Sequence, residues 1–437
     1  MTIRYLRTAL AIALCALAAS TAAAAGQATV RVIGALNYLD QPIGIIEGSP
    51  GVFYSHGDST NATVFSITTK GSIAILASFS TREGINGTLV SAANGRLYSG
   101  VNVSASSASL FSVSPAPHSK QVYQNLNLAR VPTGNLPEGA LLGVAIDFSS
   151  IWYLAKYDLK GNATTIYQFP SGERLGHTAI YASDGNYYGV SVGQNGTGYV
   201  YRVTPSGTLI KLVSFPSYTF PGTQNFVPLL QASDGNLYGT TPNGSASQTA
   251  TFYKLTLGGQ YTLLYTFPKG ANYAPTSLIE GSDGNFYGAT TTFYTQLIQM
   301  TKTGQRTLLY NMNPDIDGYG GVCPLTQGSD GIIYGTTGGG GYYGGGTIFA
   351  LDAGLPKPAP RPRRFHPQSG PVGTKVLIWG DNLLSASVAF NGVTAPTVSN
   401  SGPNYVWATV PAGATTGPIT VTTPGGMHTT RASFTVQ

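Results

Sequence analysis

The segment EGSDGNFYGAT, residues 280–290, is one of several near copies of a single pattern in this chain. Close copies stand at residues 182–192, 232–242 and 328–338. In each of them Ser-Asp-Gly is followed, after two intervening residues, by Tyr-Gly. A pattern that recurs at a nearly constant period indicates a repeat architecture, so the period sets the fold before any single residue does.

Weaker copies lie upstream and bring the number of copies to seven. Their turn glycines are spaced 44 to 50 residues apart, at Gly51, Gly95, Gly139, Gly185, Gly235, Gly284 and Gly331. In each copy an apolar stretch runs into a turn rich in Asp, Asn and Gly, which favours a hairpin. Further strand-like segments follow, such as residues 252–255 and 261–267. Four strands in this period predict one blade of a β-propeller.

The two ends of the repeat array predict how it closes. The seventh copy stops after its third strand, residues 348–351, and so lacks a fourth. Residues 28–36 form a strand-like segment ahead of the first copy. We expect this segment to complete the seventh blade, because a closed ring leaves no sheet edge unpaired. The prediction is an all-β fold with a seven-bladed propeller over residues 28–353.

The repeat resembles the tandem GloVer repeats of bacterial exported proteins. The resemblance is carried by the pattern SDGN-x-YG-x-T, the segment GTIFAL and the segment TLLYTF. Four copies keep the turn aspartate, at Asp184, Asp234, Asp283 and Asp330. The first three copies depart from it, with Pro50, Asn94 and Glu138 at that position. The resemblance implies propeller blades and an exported location, without an assigned activity.

The first 25 residues have the composition of a signal peptide. Arg4 and Arg7 precede an apolar run over residues 9–19, and the segment ends in alanines. This pattern predicts cleavage near Ala25 and export to the periplasm, the cell surface or the extracellular space. The rest of the sequence has no apolar run of the roughly 18 residues that a spanning helix needs, so no membrane anchor is predicted.

The cysteine content argues against a disulfide, and the distribution of charge argues against nucleic acid as a partner. Cys15 lies in the predicted signal peptide, so Cys323 alone remains and no intrachain disulfide is expected. The formal charge of +6 comes from two arginines of the signal peptide and from four basic residues within 354–364. Binding to nucleic acid needs a basic folded surface, which this distribution does not predict.

The last part of the chain lacks the repeated pattern, which predicts a second domain. Residues 354–364 are rich in proline and predict an extended linker. Residues 365–437 alternate short strands with Gly-Pro and Asn-Gly turns, which predicts a small β-sandwich. This stretch resembles an IPT/TIG domain of the immunoglobulin-like class. The matching residues are Pro367, Ser369, Gly370, Pro371, Gly373, Thr374, Val376, Ile378, Gly380, Asn382, Leu383, Val410, Pro411, Ala412 and Gly417. Together with export, it implies a cell-surface protein.

Groups that could support catalysis are few. The densest polar group is SGERLGH, with Glu173, Arg174 and His177 ahead of a predicted first strand. These three are the candidate catalytic residues at a channel mouth, and the alternative is a solvated loop between blades. Cys323 is a candidate nucleophile, and the alternative is a small buried apolar residue.

Tyr342 and Tyr343 are the candidate ligand-binding residues. They lie within GGGGYYGGG, residues 338–346, which lacks the lysine of a phosphate-binding loop. The alternatives are a flexible connection between strands and an exposed pair of rings suited to stacking on sugar or peptide. A single aspartate in each turn cannot supply the several oxygens that calcium needs, so no metal site is expected, and no cofactor is predicted.

Three functional hypotheses follow. The first is a monomeric, exported, non-catalytic protein for binding, adhesion or scaffolding that recognises a carbohydrate, peptide or protein through propeller loops. The second is a propeller enzyme, a lyase or a hydrolase, with its site at the channel mouth. The third is a purely structural surface protein. The scarcity of acid and base groups favours the first.

Overall fold

The computed structural model shows an all-β protein, and the described residues contain no helix. The predicted signal peptide, residues 1–25, lies outside the described residues. The structure describes residues 28–37, 41–57, 62–80, 84–104, 107–123, 128–147, 149–192, 198–215, 229–241, 249–268, 275–290, 294–320 and 324–437.

The repeat region, residues 28–353, contains the strands β1 to β28. Their bounds are β1 (Thr29–Asn37), β2 (Pro42–Ser49), β3 (Val52–Gly57), β4 (Thr63–Thr68), β5 (Ile73–Ser78), β6 (Ile85–Ser91), β7 (Leu97–Ser104), β8 (Ser107–Val113), β9 (Lys120–Tyr123), β10 (Leu128–Asn135), β11 (Leu141–Asp147), β12 (Trp152–Tyr157), β13 (Ala163–Gln168) and β14 (Arg174–Tyr181). They continue with β15 (Tyr187–Val192), β16 (Gly198–Val203), β17 (Leu209–Phe215), β18 (Leu230–Gln231), β19 (Leu237–Thr241), β20 (Thr251–Leu255), β21 (Tyr261–Thr266), β22 (Pro275–Glu280), β23 (Phe286–Thr290), β24 (Gln296–Met300), β25 (Arg306–Asn311), β26 (Thr326–Gln327), β27 (Ile333–Thr336) and β28 (Gly344–Asp352).

Within the described part of the repeat region, these strands form seven four-stranded antiparallel sheets. Six are continuous meanders in which the four strands follow one another along the chain: β2 to β5, β6 to β9, β10 to β13, β14 to β17, β18 to β21 and β22 to β25. The seventh sheet has the order β1-β28-β27-β26 and therefore joins the two ends of the region. Four strands per copy, as predicted from the period, are present.

The pairing predicted between the two ends of the repeat region is confirmed. β1 runs antiparallel to β28, with Val30 opposite Leu351 and Val32 opposite Phe349. Ile33 of β1 is buried with Ile67 of the first meander and Ile348 of β28. The N-terminal strand therefore completes the last sheet and also packs against the first one.

The Ser-Asp-Gly turn is held by its own tyrosine. In the sixth sheet one oxygen of Asp283 accepts a hydrogen bond from the Asn285 amide at 3.1 Å, and the other accepts one from the Tyr287 hydroxyl at 2.9 Å. Gly284 has a φ of +80°, which a residue with a side chain rarely adopts. The tyrosine hydroxyl also bonds the aspartate in the other three close copies: Asp184 with Tyr188, Asp234 with Tyr238 and Asp330 with Tyr334.

The serine of the turn has a separate role, because it joins neighbouring sheets. A Glu or Gln near the end of the first strand of one sheet accepts a hydrogen bond. The donor is the backbone amide of the serine in the Ser-Asp-Gly turn of the preceding sheet. The pairs are Ser183 with Gln231 at 2.9 Å, Ser233 with Glu280 at 2.8 Å, Ser282 with Gln327 at 2.9 Å and Ser329 with Glu47 at 2.7 Å. The last pair links the seventh sheet to the first, so the same contact that joins successive repeats also joins the two ends.

The second glycine of the pattern makes room for packing between strands. At Gly239 a Cβ atom would lie 2.6 Å from the Tyr253 hydroxyl oxygen, so a side chain does not fit there. Aromatic rings fill the space between the fifth and sixth sheets, where the ring centroids of Tyr238 and Phe286 are 4.4 Å apart. Such tilted contacts between buried rings add to the stabilisation that burial gives.

The C-terminal module, residues 361–437, contains two further sheets. Its strands are β29 (Arg361–His366), β30 (Ser369–Gly370), β31 (Lys375–Asp381), β32 (Ser387–Phe390), β33 (Val393–Thr394), β34 (Val398–Gly402), β35 (Tyr405–Thr409), β36 (Gly417–Thr423) and β37 (Gly426–Val436). The sheet orders are β29-β31-β35-β34 and β30-β37-β36-β32-β33. One core of buried side chains, including Ile378, Val406 and Val421, fills the module. β29 begins at Arg361, inside the range 354–364 that the sequence predicted as a linker.

The module packs against the end of the repeat region that carries the Ser-Asp-Gly turns, which we call the turn end. The Tyr405 hydroxyl donates to the Leu136 carbonyl and the Trp407 indole to the Ala93 carbonyl, both at 3.0 Å. Arg361 pairs with Glu280 at 2.9 Å, and the Arg364 guanidinium lies 5.3 Å from the ring centroid of Tyr181. Part of the basic cluster noted in the sequence is therefore used in contacts between the module and the sheets.

Candidate functional site

The repeat region has a second end, which the contacts of the module described above do not involve. In an antiparallel meander the loops between second and third strands emerge opposite the first turn, together with the connections from one sheet to the next. We call this the loop end, and residues 312–320 and 337–343 belong to it. Both groups of candidate residues, Glu173 with its neighbours and the pair Tyr342 and Tyr343, lie in loop-end segments or next to them.

Glu173 is packed against a tyrosine and a lysine. Its carboxylate accepts a hydrogen bond from the Tyr199 hydroxyl and lies 3.5 Å from the Lys211 ammonium. The same ammonium is 4.1 Å from the centroid of the Tyr199 ring. Only 12% of the Glu173 side chain is exposed. Burial, followed by the hydrogen bond to Glu173, raises the pKa of Tyr199, so this hydroxyl acts as a donor at neutral pH.

Of the predicted catalytic trio, the structure describes the side chains of Glu173 and Arg174 only. Arg174 is exposed at the first position of β14, directly after Glu173. His177 lies within β14, but its side chain is outside the described residues. The structure instead adds Tyr199 and Lys211 to Glu173, two residues that the sequence analysis did not include. This arrangement fixes the carboxylate in place between a donor hydroxyl and a cation.

Tyr342 and Tyr343 stand at the loop end, between β27 and β28. Tyr342 is 75% exposed and Tyr343 is 37% exposed. Their rings meet edge to face, with centroids 4.9 Å apart and planes at 89°. Neither ring is buried, as predicted. The edge-to-face contact orients one ring against the other.

Two further exposed apolar side chains accompany this pair. Tyr294 is 72% exposed and Ile316 is 58% exposed. The loop that carries Ile316 bonds the segments on either side of it. The Gly341 amide, next to Tyr342, donates to the Pro314 carbonyl at 2.9 Å. The Gly320 amide donates to the hydroxyl of Thr295, next to Tyr294, at 3.2 Å. We call Tyr294, Ile316, Tyr342 and Tyr343 the tyrosine patch.

Backbone hydrogen bonds hold the glycine-rich segment under the patch to the neighbouring loop. Tyr319 and Gly339 exchange backbone hydrogen bonds of 2.8 and 3.1 Å, and the Gly346 amide donates to the Gly340 carbonyl at 3.1 Å. At Gly340 a Cβ atom would lie 2.3 Å from the Pro314 carbonyl oxygen. The glycines therefore allow two loops to touch, which holds the tyrosines in one arrangement.

A buried carboxylate supports the same loop from below. Asp317 is 4% exposed and accepts hydrogen bonds from the Tyr310 hydroxyl at 3.0 Å and from the Asn313 amide at 2.9 Å. The Asp317 carbonyl accepts one from the Thr347 hydroxyl at 2.5 Å. Burial and the neighbouring Asp317 raise the pKa of Tyr310 to about 12, so its hydroxyl remains a donor at physiological pH.

Sequence reasoning missed Tyr294, Ile316 and Asp317. Tyrosine is common in this chain, with 27 residues, so a single tyrosine carries little signal. The members of the patch are separated by up to 49 residues, and only the packing of neighbouring repeats brings their loops together. The one available signal was positional, because all of them lie in the segments that connect strands at the loop end.

A cavity of about 450 Å³ lies where the C-terminal module meets the repeat region. Its wall includes Glu47, Glu280, Arg361 and Arg363. Glu280 accepts hydrogen bonds from the Ser233 hydroxyl at 2.5 Å and bonds the Lys302 ammonium at 2.8 Å, in addition to Arg361. Burial alone would raise the pKa of Glu280, but these partners outweigh it and lower the pKa. At this wall the ion pair between Glu280 and Arg361 joins the module to the repeat region, while Glu47 bonds Ser329 within the repeat region.

Among the described residues, the remaining candidates form no second site. His56 is fully buried, and one of its ring nitrogens lies 2.6 Å from the Gly87 carbonyl oxygen. Burial lowers its pKa to about 4, so the ring is neutral at physiological pH. Cys323, the candidate nucleophile, lies outside the described residues. Among the residues that the structure describes, no three His, Cys, Asp or Glu side chains form a group suited to a metal ion.

Calcium is not expected to stabilise the protein. The oxygens of Asp234 are used by the Asn236 amide at 3.1 Å and by the Tyr238 hydroxyl at 2.9 Å. We expect the melting temperature to be the same with calcium and with a chelator. Asp234→Ala should cost about 1–3 kcal/mol, because it leaves the tyrosine hydroxyl without its acceptor. A calcium-dependent rise in melting temperature that is lost in Asp234→Ala and Asp283→Ala would contradict this assignment.

None of the described ranges contains a helix with the length and apolar character needed to cross a bilayer.

Comparison with protein families finds a match for part of the repeat region. Residues 151–296 and 228–357 match the family model described as the Gloeobacter/Verrucomicrobia repeat. The matched ranges contain the four Ser-Asp-Gly turns at residues 183–185, 233–235, 282–284 and 329–331. The chain is therefore a repeat-containing, β-rich protein. No curated protein matches it.

Solved structures that resemble the chain are propeller-like. A fungal alcohol oxidase of the AA5 family, in complex with copper, is 12% identical with a TM-score of 0.51, over 93% of this chain and 99% of that one. An oligogalacturonate lyase in complex with manganese is 14% identical with a TM-score of 0.49, over 76% and 99%. TolB from Acinetobacter baumannii is 15% identical with a TM-score of 0.40, over 63% and 65%. At 12% identity the likeness to the oxidase concerns the fold alone, and nothing is concluded from the other two, whose TM-scores are below 0.5.

Proposed function

We propose that the protein is an exported, non-catalytic binding protein that recognises a glycan, peptide or protein partner through the tyrosine patch. The observation that carries this proposal is the exposure of Tyr294, Ile316 and Tyr342 on loops that are fixed to one another by backbone hydrogen bonds. A rigid platform loses little conformational entropy when a ligand binds. Loops on a rigid scaffold are also the usual place for binding residues.

The architecture that presents the patch is, in this proposal, a seven-bladed β-propeller over residues 28–353 followed by an IPT/TIG domain of the immunoglobulin-like class. The seven sheets and the bond between Ser329 and Glu47 support a closed ring. Two sheets around one core support the sandwich. Docking of the module at the turn end leaves the loop end for a partner.

Export and a monomeric state belong to the same proposal. The signal-like segment over residues 1–25 and the match to a repeat of bacterial families support export to the periplasm, the cell surface or the medium. The mature chain is expected to begin near residue 26, which mass spectrometry of the exported protein would test. Pairing of β1 with β28 covers the edge that would otherwise recruit a second chain, so we expect a monomer by light scattering.

Replacing Tyr342 and Tyr343 together by Ala is expected to weaken partner binding tenfold or more. Loss of two rings from a binding surface removes stacking contacts of about 0.5–1.5 kcal/mol each, while exposed side chains add little to folding stability. The melting temperature should therefore stay within about 2 °C of the parent protein. Binding would be measured by calorimetry, with Leu263→Ala as the matched control, since Leu263 is 51% exposed on the outer strand β21.

The competing hypothesis is an enzyme that uses Glu173, Arg174 and His177. The hydrogen bond from Tyr199 and the ion pair with Lys211 engage the Glu173 carboxylate, which argues against a role as an available base. Turnover of a glycan, lactone or peptide that disappears in His177→Ala would overturn the non-catalytic proposal. Binding that the Tyr342 and Tyr343 double variant leaves unchanged would overturn the assignment of the site.

A further inference from the structure

We infer that the partner of the tyrosine patch is an uncharged polysaccharide built of pyranose units. This inference rests on the proposed binding function and adds the chemical class of the ligand. It starts from the two most exposed rings of the patch, Tyr342 and Tyr294, which belong to neighbouring sheets. Two rings on adjacent sheets offer two stacking positions, which suits a polymer better than a single small molecule.

The two stretches of sequence that carry the rings contain no basic residue. The sequence contains no Lys or Arg from residue 307 to residue 356, or from residue 270 to residue 301. Of the two acidic residues in the loop under the patch, Asp317 is buried and only Asp315 is exposed. Recognition of phosphate, sulfate or uronate groups relies on Arg and Lys, so an anionic polymer is not favoured. A strongly basic peptide would also find little acidic surface to bind.

The shape of the patch favours sugar rings over an extended protein surface. Tyr342 lies in a segment whose other residues, apart from Tyr343, are glycines at 338–341 and 344–346, so only the Tyr343 ring of this segment stands beside it. Tyrosine offers a flat apolar face and a polar tip, which match the apolar face and the hydroxyls of a pyranose. A stable protein interface usually needs more than 1,000 Å² with a packed apolar core, for which four scattered side chains are few.

The position of the loops explains why the sugar would meet a preformed surface. The bonds from Gly341 to Pro314 and between Tyr319 and Gly339 hold the patch before any ligand arrives. Stacking on fixed rings loses little side-chain entropy, so even weak contacts with each sugar add up along a polymer.

Affinity electrophoresis of the mature, full-length protein tests the inference. Gels would contain xylan, glucomannan, dextran or soluble cellulose derivatives without charge, and, in parallel, polygalacturonate or alginate. We expect retardation by at least one neutral polymer, with an affinity that changes less than twofold between 0.05 and 0.5 M salt. Tyr342→Ala and Tyr294→Ala should each weaken it fivefold or more, whereas Leu263→Ala should not.

Several outcomes would overturn the inference. Retardation only by anionic polymers, with strong salt dependence, would assign a charged ligand. Binding that depends on Tyr342 but not on Tyr294 would remove the two-position platform. A purified peptide or protein that binds through Tyr342, with no retardation by neutral polymers, would refute the polysaccharide and leave the proposed binding function intact. Turnover that depends on His177 would instead refute the proposed function itself.

Discussion

Removal of residues 26–37 is expected to abolish the folded monomer. This deletion takes away β1, which pairs with β28 from Thr29 to Asn37 and buries Ile33 and Leu36. Each of these two side chains contributes about 1.5–3 kcal/mol by burial, and the sum is a large part of the 5–15 kcal/mol that stabilises an ordinary domain. The exposed edge of β28 would also be a template for pairing with other chains.

The experiment compares the mature protein with the shortened one by circular dichroism and by size exclusion with light scattering. The shortened protein should aggregate or unfold without a sharp transition. Point variants separate edge exposure from loss of burial: Ile33→Ala should cost about 2–5 kcal/mol, and Arg31→Ala, on an exposed position of the same strand, should cost less than about 0.5 kcal/mol. A shortened protein that stays monomeric with the parent melting temperature would show that β1 does not close the array.

Replacing Glu280 by Ala is expected to be the most damaging single change at the junction with the C-terminal module. The side chain is 5% exposed and binds Lys302 at 2.8 Å and Arg361 at 2.9 Å. It also accepts hydrogen bonds from the backbone and the hydroxyl of Ser233. The Lys302 and Arg361 side chains are 31% and 34% exposed, so water compensates part of their charge, and we expect the loss of the buried carboxylate to cost about 1.5–3 kcal/mol.

The repeat itself supplies a matched control, because two equivalent positions carry glutamine. Gln327 accepts a hydrogen bond from the Ser282 amide at 2.9 Å and donates one to its hydroxyl at 2.9 Å. Glu280→Gln should therefore keep the bonds to Ser233 and lose only the charge. We expect the Gln variant to retain the repeat region and to loosen the module, seen as faster proteolysis between residues 353 and 360.

A double-mutant cycle completes this test. If the carboxylate acts through Arg361, then Arg361→Ala should lower stability in the parent protein and have little effect in Glu280→Gln. Because the partners of Glu280 lower its pKa below 4.5, its contribution is present at neutral pH and is lost as the pH falls through that lower pKa. A Gln variant as stable as the parent, with destabilisation only in the Ala variant, would show that the bonds to Ser233, and not the charge, hold this position.

The sequence by itself determined the parts of the fold that each repeat specifies locally. The Ser-Asp-Gly turn and its spacing gave the hairpins, since Asp283, Gly284 and Tyr287 all act within eight residues of one another. Six copies have four strands and the last has three, and this count predicted the pairing of β1 with β28. Local hydrogen bonds and the period of the chain are sufficient for both, because neither depends on how far apart the repeats finally lie.

Only the tertiary structure showed which residues of different sheets are in contact. No role for the serine of the turn followed from the sequence, yet Ser329 bonds Glu47 across 282 residues. The loops that carry Tyr294, Ile316 and Tyr342 meet through hydrogen bonds, and Arg361 is a partner of Glu280 rather than part of a linker. These contacts join side chains from different repeats, and their geometry follows from the angle and distance at which whole sheets pack, which no local pattern encodes.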